Sequence, residues 1–149
     1  MRPDAGASQR ETAEIDIKKS IGAASLGATK DQLNAFYGVP RRTTRLLGSS
    51  STTITTYRVH GAALWVLYRN KVAIGVGTTS RYYNTESGLG VGMPTKRFAP
   101  LKLRWASCRG AYRRSAGLSG LYVTRGAKSR VTSVWILRRG LGACPRLPG

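Results

Sequence analysis

The feature that most constrains this chain is a similarity between two of its own segments. The stretch SIGAASLGATKDQL (residues 20–33) matches TESGLGVGMPTKRF (residues 85–98) in the order of its apolar and glycine positions, with Gly27 equivalent to Gly92. Self-similarity of this kind is typical of a structural unit that is used twice. The chain is therefore predicted to contain two tandem small modules, in which Gly27 and Gly92 provide the backbone geometry of a turn.

The first of these segments contains a helix signal. Thr29 opens the sequence TKDQ, a capping box in which the threonine and the glutamine each accept a bond from the backbone N–H of the other. Apolar residues then recur at i, i+3 and i+4 from Leu33 to Tyr37. Gly38 favours a left-handed stop and Pro40 prevents continuation. These residues predict a helix from Thr29 to Tyr37, whereas two prolines restrict the second copy to about one turn.

Strand signals occupy most of the remaining chain. Five segments rich in β-branched, aliphatic or aromatic residues are separated by short turns. They are residues 52–59, 63–69, 72–79, 117–125 and 130–138. We therefore predict an α+β fold of two tandem modules, each a short helix or helical turn followed by an antiparallel meander. Together the modules would form one curved antiparallel sheet with the helices on one face.

The same pattern divides the chain into four parts. Residues 1–19 hold four of the six acidic residues and few large apolar ones, which predicts a flexible arm. Residues 20–84 form the first module and residues 85–139 the second. Residues 140–149 form a C-terminal tail that contains Cys144.

The stretch GLGVGMPTK (residues 88–96) resembles a phosphate-binding loop in its glycines and its lysine. A Walker loop needs Gly-Lys-Ser/Thr at the start of a long helix, but Lys96 follows Pro-Thr and the glycines are spaced by two residues. We interpret these glycines as turn residues.

No combination of side chains indicates catalysis. The only histidine, His60, lies at a predicted hairpin turn, Asp31 lies in the first helical turn, and Glu86 lies in a glycine-rich link. No second carboxylate or nucleophile is placed beside any of them. We predict a protein that is not an enzyme, with no catalytic residue, cofactor or metal.

The charge of the chain is strongly positive. The 149 residues include 25 Lys plus Arg against 6 Asp plus Glu, a net charge of +19. Such a charge attracts nucleic acid, anionic surfaces or acidic proteins. Arginine outnumbers lysine 18 to 7, as expected from a GC-rich genome, and codon bias explains the charge equally well.

Neither a membrane span nor a leader is evident. The longest apolar run, GAALWVLY, is far shorter than the roughly 20 residues of a membrane helix. The N-terminus has no apolar core of a secretory signal, so either the protein stays inside the cell or its leader lies upstream of Met1.

The two cysteines, Cys108 and Cys144, have two interpretations. One disulfide between them would close a loop of about 35 residues and indicate an oxidising compartment. Two buried free thiols are the alternative, and we favour the disulfide.

Aromatic residues beside arginines form the candidate partner surface. Tyr and Arg are frequent in the energetic centres of protein interfaces, and they also suit stacking on single-stranded nucleic acid. The residues predicted to be exposed for this purpose are Arg81, Tyr82, Tyr83, Tyr112, Arg113 and Arg114. In contrast, Trp65 and Trp135 lie in the most apolar strands and are predicted to be buried.

The stretch IGAASLGATKDQLNAFYGVP resembles the opening of SmpA/OmlA and β-lactamase-inhibitor-protein-like modules. In those modules an apolar-glycine-small-threonine step leads into a helix that ends before Gly-x-Pro, and the matching positions are Gly27, Thr29, Gly38 and Pro40. Two such modules in tandem would be similar to the β-lactamase inhibitor architecture. The chain also resembles uncharacterised exported actinobacterial proteins with two cysteines in similar places.

Two functions follow as hypotheses. The repeat and the candidate disulfide favour a binding module, exported or envelope-associated, that grips a protein or cell-envelope partner with an aromatic and arginine-bearing sheet face. The alternative is an intracellular basic protein that binds RNA or DNA, for example at the ribosome.

Overall fold

Three short strands near the start of the described chain form a small antiparallel sheet. The structure is a computed structural model and describes residues 11–45, 52–106 and 111–138. The strands are β1 (Ile15–Asp16), β2 (Ser20–Ile21) and β3 (Ala24–Ser25). Ile15 pairs with Ile21, and both are buried in the hydrophobic core. Part of the segment predicted to be a flexible arm, residues 1–19, therefore lies within the fold.

The helix α1 spans Lys30–Tyr37 and confirms the helix predicted from the sequence. Thr29 is its N-cap, because its Oγ1 accepts from the N–H of Gln32 at 3.2 Å while Gln32 Oε1 accepts from the N–H of Thr29 at 2.9 Å. Gly38 ends the helix with a φ of 90°, which a side chain would disfavour. Leu33 is buried and attaches the helix to the core.

Eight longer strands form a second, antiparallel sheet. In chain order they are β4 (Arg42–Arg45), β5 (Thr52–Val59), β6 (Ala62–Arg69), β7 (Val72–Thr78), β8 (Arg104–Ala106), β9 (Ala111–Ala116), β10 (Ser119–Arg125) and β11 (Val131–Arg138). Their order in space is β4-β5-β6-β7-β11-β10-β9-β8. The five strands predicted from the sequence correspond to β5, β6, β7, β10 and β11.

Tight turns connect the central strands. His60 and Gly61 link β5 to β6, and Asn70 and Lys71 link β6 to β7; all four residues have positive φ angles. Two successive positive φ angles define the type I′ turn, whose twist matches that of a hairpin. These turns fix the register of β5, β6 and β7.

Both faces of the eight-stranded sheet carry apolar side chains. The first, the core face, packs against α1, the small sheet and a 3-10 helix at Thr95–Leu101, in which Phe98 is buried. Successive residues of a strand point to opposite faces. The second, which we name the tryptophan face, carries Ile54, Trp65, Leu67, Ile74, Ala111, Tyr122, Trp135 and Leu137.

The predicted fold class of two tandem helix-plus-meander modules is wrong. The structure instead has one large antiparallel sheet of eight strands, joined by the pairing of β7 with β11, and a separate three-stranded sheet that was not predicted. The second segment of the sequence match leads into a 3-10 helix at Thr95–Leu101, which contains Pro100. Glycine and proline positions determine turns locally, whereas they contain no information on which distant strands pair. The domain boundaries at 84/85 and 139/140 stay predictions.

Candidate functional site

One row of residues crosses the tryptophan face from edge to edge of the sheet. Directly paired residues on antiparallel strands point to the same face, so the register places these side-chain positions next to each other. In strand order the row consists of Arg42, Thr56, Trp65, Gly77, Trp135, Tyr122, Arg113 and Arg104. Aromatic residues and a glycine occupy its middle, and arginines occupy both ends.

The two tryptophans of the row stack on each other above Gly77. Their ring centroids are 5.0 Å apart and their planes differ by 4°. A Cβ at Gly77 would lie 2.2 Å from Cδ2 of Trp135, so this indole lies directly across the glycine. Trp135 is fully buried and donates from Nε1 to Ser133 Oγ at 3.1 Å, whereas Trp65 is half-buried. Trp65 is therefore the ring of the pair that a partner can reach.

A methyl group at Gly77 has no room beneath the indole. We expect Gly77→Ala to lower the free energy of unfolding by about 2 kcal/mol, because the ring must leave its position or the strand must shift. Urea unfolding of the variant measures this loss. Trp135→Phe, introduced into the Gly77→Ala chain, should recover part of it in a double-mutant cycle. A Gly77→Ala variant as stable as the parent would contradict the stacked arrangement.

Positive charge at the ends of the row is not neutralised within the described residues. Arg42 and Arg104 are in the row, and Arg58 lies beside it, two residues from Thr56 along β5. All three are exposed, and their side chains form no hydrogen bond or ion pair within the described part of the chain. Arg113 donates from Nη2 to Ser115 Oγ at 2.8 Å. Strands lie about 4.8 Å apart, so the sheet places Arg42 and Arg113 about 29 Å from each other. The row thus has two basic ends and an apolar centre.

The first group of predicted surface residues is only partly exposed. Arg81 and Tyr82 are exposed, with Tyr82 at 40% and stacked on His60 at 3.6 Å between ring centroids. Tyr83 has no exposed surface, so the prediction of its exposure is wrong. Its ring faces the interior because its hydroxyl binds a buried carboxylate.

The second group is divided between the two faces of the sheet. Arg113 lies on the tryptophan face, opposite Tyr122. Its neighbours Tyr112 and Arg114 lie on the core-face side, where Tyr112 lies 5.4 Å below the Arg125 guanidinium and Arg114 donates to the Leu101 carbonyl at 2.8 Å. The structure therefore does not unite the two predicted groups in one surface, and a binding role for them stays a prediction.

A polar cluster around Glu11 was missed by the sequence analysis. Its side chain is 7% exposed. Oε2 accepts from the Tyr37 hydroxyl at 2.7 Å and from the N–H of Ala23 at 3.0 Å. Oε1 accepts from the Tyr83 hydroxyl at 2.5 Å and lies 3.1 Å from Nε2 of His60. This Glu11 cluster ties the N-terminal segment to α1, to the β5–β6 turn and to the chain after β7.

Burial and hydrogen bonds hold four tyrosines in the neutral form, of which Tyr37 is half-buried and Tyr57, Tyr68 and Tyr83 are buried. Burial raises the pKa of Tyr37 and of Tyr83, and the hydrogen bond to Glu11 and the charge of Glu11 raise each pKa further. The hydroxyls of Tyr57 and Tyr68 are 2.8 Å apart, and burial raises the pKa of both residues. These hydroxyls are therefore hydrogen-bonding groups of the fold at neutral pH.

The Glu11 cluster is suited to structural support rather than to reaction. Three protein donors and His60 occupy both carboxylate oxygens, which leaves little capacity to bind a substrate. Among residues 11–45, 52–106 and 111–138, no group of three or more His, Cys, Asp or Glu side chains is placed to hold a metal ion.

The glycine-rich stretch has backbone reasons for its glycines. Gly88 and Gly92 have φ angles of 87° and 90°. A Cβ at Gly90 would lie 2.6 Å from the Tyr83 carbonyl oxygen. The N–H of Gly92 donates to the Val131 carbonyl at 2.8 Å, so it is directed into the fold. Gly27 has a similar φ of 93°.

Cys108 and Cys144 lie outside the described residues, and their pairing stays a prediction. Of the helices that the structure does describe, none has the length and apolar character needed to cross a membrane.

No protein-family model and no curated protein sequence matches this chain. Solved structures with a similar fold include an extracellular protein with an SCP domain from Bacillus anthracis, with a TM-score of 0.59 and 7% identity. A cysteine-rich secretory protein from Staphylococcus aureus has a TM-score of 0.57 and 14% identity. In both cases the match covers 76% of this chain and 44% of the other, so the chain spans less than half the length of those proteins.

A third solved structure, a DUF4309 family protein from Bacillus subtilis, has a TM-score of 0.50 and 14% identity, with coverage of 75% of this chain and 79% of that one. At these identities the similarity establishes the fold alone. The resemblance to SmpA/OmlA and β-lactamase-inhibitor-protein-like modules stays a prediction.

Proposed function

We propose that this chain is a non-enzymatic binding module, exported or envelope-associated, that grips an acidic protein partner through the tryptophan face. The observation that carries the proposal is the row of residues from Arg42 to Arg104, in which accessible Trp65 and Tyr122 lie between two arginine ends. Trp, Tyr and Arg are the side chains that most often dominate protein interfaces.

Only part of the tryptophan face is accessible to a partner. Its buried residues are Leu67, Ile74, Ala111, Trp135 and Leu137. Trp65 and Tyr122 are half-buried, and Arg42, Arg104 and Arg113 are exposed. The surface that a partner can reach therefore consists of two partly exposed aromatic rings with guanidinium groups on either side.

The distribution of charge favours a protein over nucleic acid. A nucleic acid strand presents a phosphate at every nucleotide and would need positive charge along its whole path. The row has charge at its two ends and apolar groups between them. A folded partner with acidic groups on either side of an apolar patch complements this pattern.

Support for the location comes from the solved structures of similar fold. Two of them are described as secretory or extracellular proteins. Export of this chain is part of the proposal on that ground, together with the candidate disulfide.

Selection from a displayed peptide library tests the proposed face. We expect the chain to enrich peptides in which acidic residues lie on both sides of an aromatic or aliphatic residue. We expect the affinity for the selected peptides to fall about 100-fold or more when Arg42, Arg58, Arg104 and Arg113 are replaced by glutamine, because several charged contacts are lost together.

A control variant that loses the same number of charges elsewhere separates binding by the tryptophan face from the general attraction of a basic protein for acidic peptides. Lys18, Lys19, Arg97 and Lys128 are exposed and lie outside the row, and their replacement by glutamine should change affinity by less than about fivefold. Equal losses in the two variants would overturn the proposal. Tighter binding of a single-stranded oligonucleotide than of any selected peptide, with affinity falling steeply as salt rises, would establish the nucleic-acid alternative instead.

A further inference from the structure

One end of the row contains a small basic groove with an accessible aromatic wall. The groove has a volume of about 470 Å³, and its lining includes Arg41, Arg42, Arg58, Thr56 and Trp65. All three arginines are exposed, whereas Thr56 and Trp65 are half-buried. A groove of this volume is in the range of small-molecule sites, which are typically about 300–1,000 Å³.

The strand register brings the polar groups of this groove together. Thr56 pairs with Arg42 on one side and with Trp65 on the other. Arg58 is two residues further along β5 and points to the same face, so it is a diagonal neighbour of Arg42 at about 7–8 Å. Two guanidinium groups, one hydroxyl and one indole therefore surround a single position on the sheet.

These groups have no partner of their own within the described residues. The side chains of Arg42 and Arg58 and the Thr56 hydroxyl form no hydrogen bond or ion pair there, and the contact of His60 with Glu11 lies elsewhere. Glu11, Asp16 and Glu86 do not line the groove. An anion placed above Thr56 would therefore meet two unneutralised guanidinium groups.

The charge of the groove fits a phosphate better than a carboxylate. A phosphate monoester carries about −1.5 to −2 charges at pH 7 and has three acceptor oxygens. It can neutralise two guanidinium groups, each of which binds phosphate in a bidentate manner, and still accept from a hydroxyl. A single carboxylate would leave one guanidinium without a counter-charge.

We infer that this groove binds a phosphate monoester carried on a ring, with the phosphate between Arg42 and Arg58 and the ring against Trp65. Sugar phosphates and nucleoside monophosphates share this chemistry. The ligand requires no protein partner, so the inference goes beyond the proposed function, although both use Trp65.

Titration calorimetry and tryptophan fluorescence with inorganic phosphate, ribose 5-phosphate and AMP test the site at physiological salt. We expect saturable binding of the two ring-bearing compounds. Arg42→Gln and Arg58→Gln should each weaken it about tenfold, the usual effect of losing a charged hydrogen bond. Trp65→Leu should weaken the binding of AMP about tenfold and leave the affinity for inorganic phosphate unchanged, because only the ring contact is lost. Tighter binding of AMP than of ribose 5-phosphate would identify the base as the stacked ring, and the reverse would identify the sugar.

The matched control is the double variant Arg104→Gln, Arg113→Gln at the other end of the row. It should bind the phosphate compounds with the same affinity as the parent chain, and it should lose its affinity for the peptides selected from the library. Absence of saturable binding, or equal losses in the control and in the Arg42 and Arg58 variants, would overturn the inference. Phosphate binding without any peptide binding would instead refute the proposed function and leave this site in place.

Discussion

Glu11→Ala is expected to lower the free energy of unfolding by about 4 kcal/mol. The substitution leaves the Tyr37 hydroxyl, the Tyr83 hydroxyl and the N–H of Ala23 without their acceptor in a largely buried position. Each buried donor without a partner costs about 1–3 kcal/mol, and a bond to a charged group is at the upper end. Relaxation of the N-terminal segment recovers part of the sum. Chemical unfolding followed by circular dichroism measures the loss.

Two variants separate this effect from a simple loss of charge. Glu14→Ala removes an exposed carboxylate three residues away and should change stability by less than about 0.5 kcal/mol. Glu11→Gln keeps one acceptor oxygen and the shape of the side chain, so it should lower the free energy of unfolding by less than Glu11→Ala does. If Glu11→Ala and Glu14→Ala were equally stable, the buried carboxylate would not be the link between the N-terminal segment and the core.

The importance of Glu11 could not be predicted from the sequence. Its segment has few large apolar residues, which favours an exposed arm. The four partners of its carboxylate lie between 12 and 72 residues away along the chain. A polar residue becomes buried when distant donors converge on it, and local composition contains no record of that convergence.

Local signals were sufficient where a short segment determines its own structure. The helix α1 depends on Thr29, Gln32 and Gly38, which are close in sequence, and its cap forms as predicted. The strands β5, β6 and β7 follow one another through tight turns, so their pairing could also be predicted from the sequence. The stacking of Trp65 on Trp135 depends instead on Gly77 and on the pairing of β7 with β11, which joins residues 58 positions apart. The tryptophan face was therefore outside the reach of sequence analysis.

The fold is expected to lose stability steeply above about pH 10 and to unfold cooperatively in stronger alkali. Four tyrosines, Tyr37, Tyr57, Tyr68 and Tyr83, have raised pKa values in the folded chain. The unfolded chain releases their protons near the usual pKa of about 10, whereas the folded chain retains them. Above that pH the folded state binds more protons than the unfolded state, so stability falls as pH rises; below it, these groups contribute no pH dependence.

The slope of this dependence is large because the four groups act together. Each tyrosine contributes about 1.4 kcal/mol per pH unit between its unfolded and its folded pKa, so the slope is about 5 kcal/mol per unit where all four keep their protons. A domain with about 5–15 kcal/mol of stability would then unfold within about one to three units above pH 10. Tyrosinate absorbance and circular dichroism should change in the same narrow interval. The double variant Tyr57→Phe, Tyr68→Phe removes two of the four titrations and should halve the slope of stability against pH. Gradual ionisation of all tyrosines around pH 10 in a chain that keeps its strand signal would contradict the buried, neutral state of these hydroxyls.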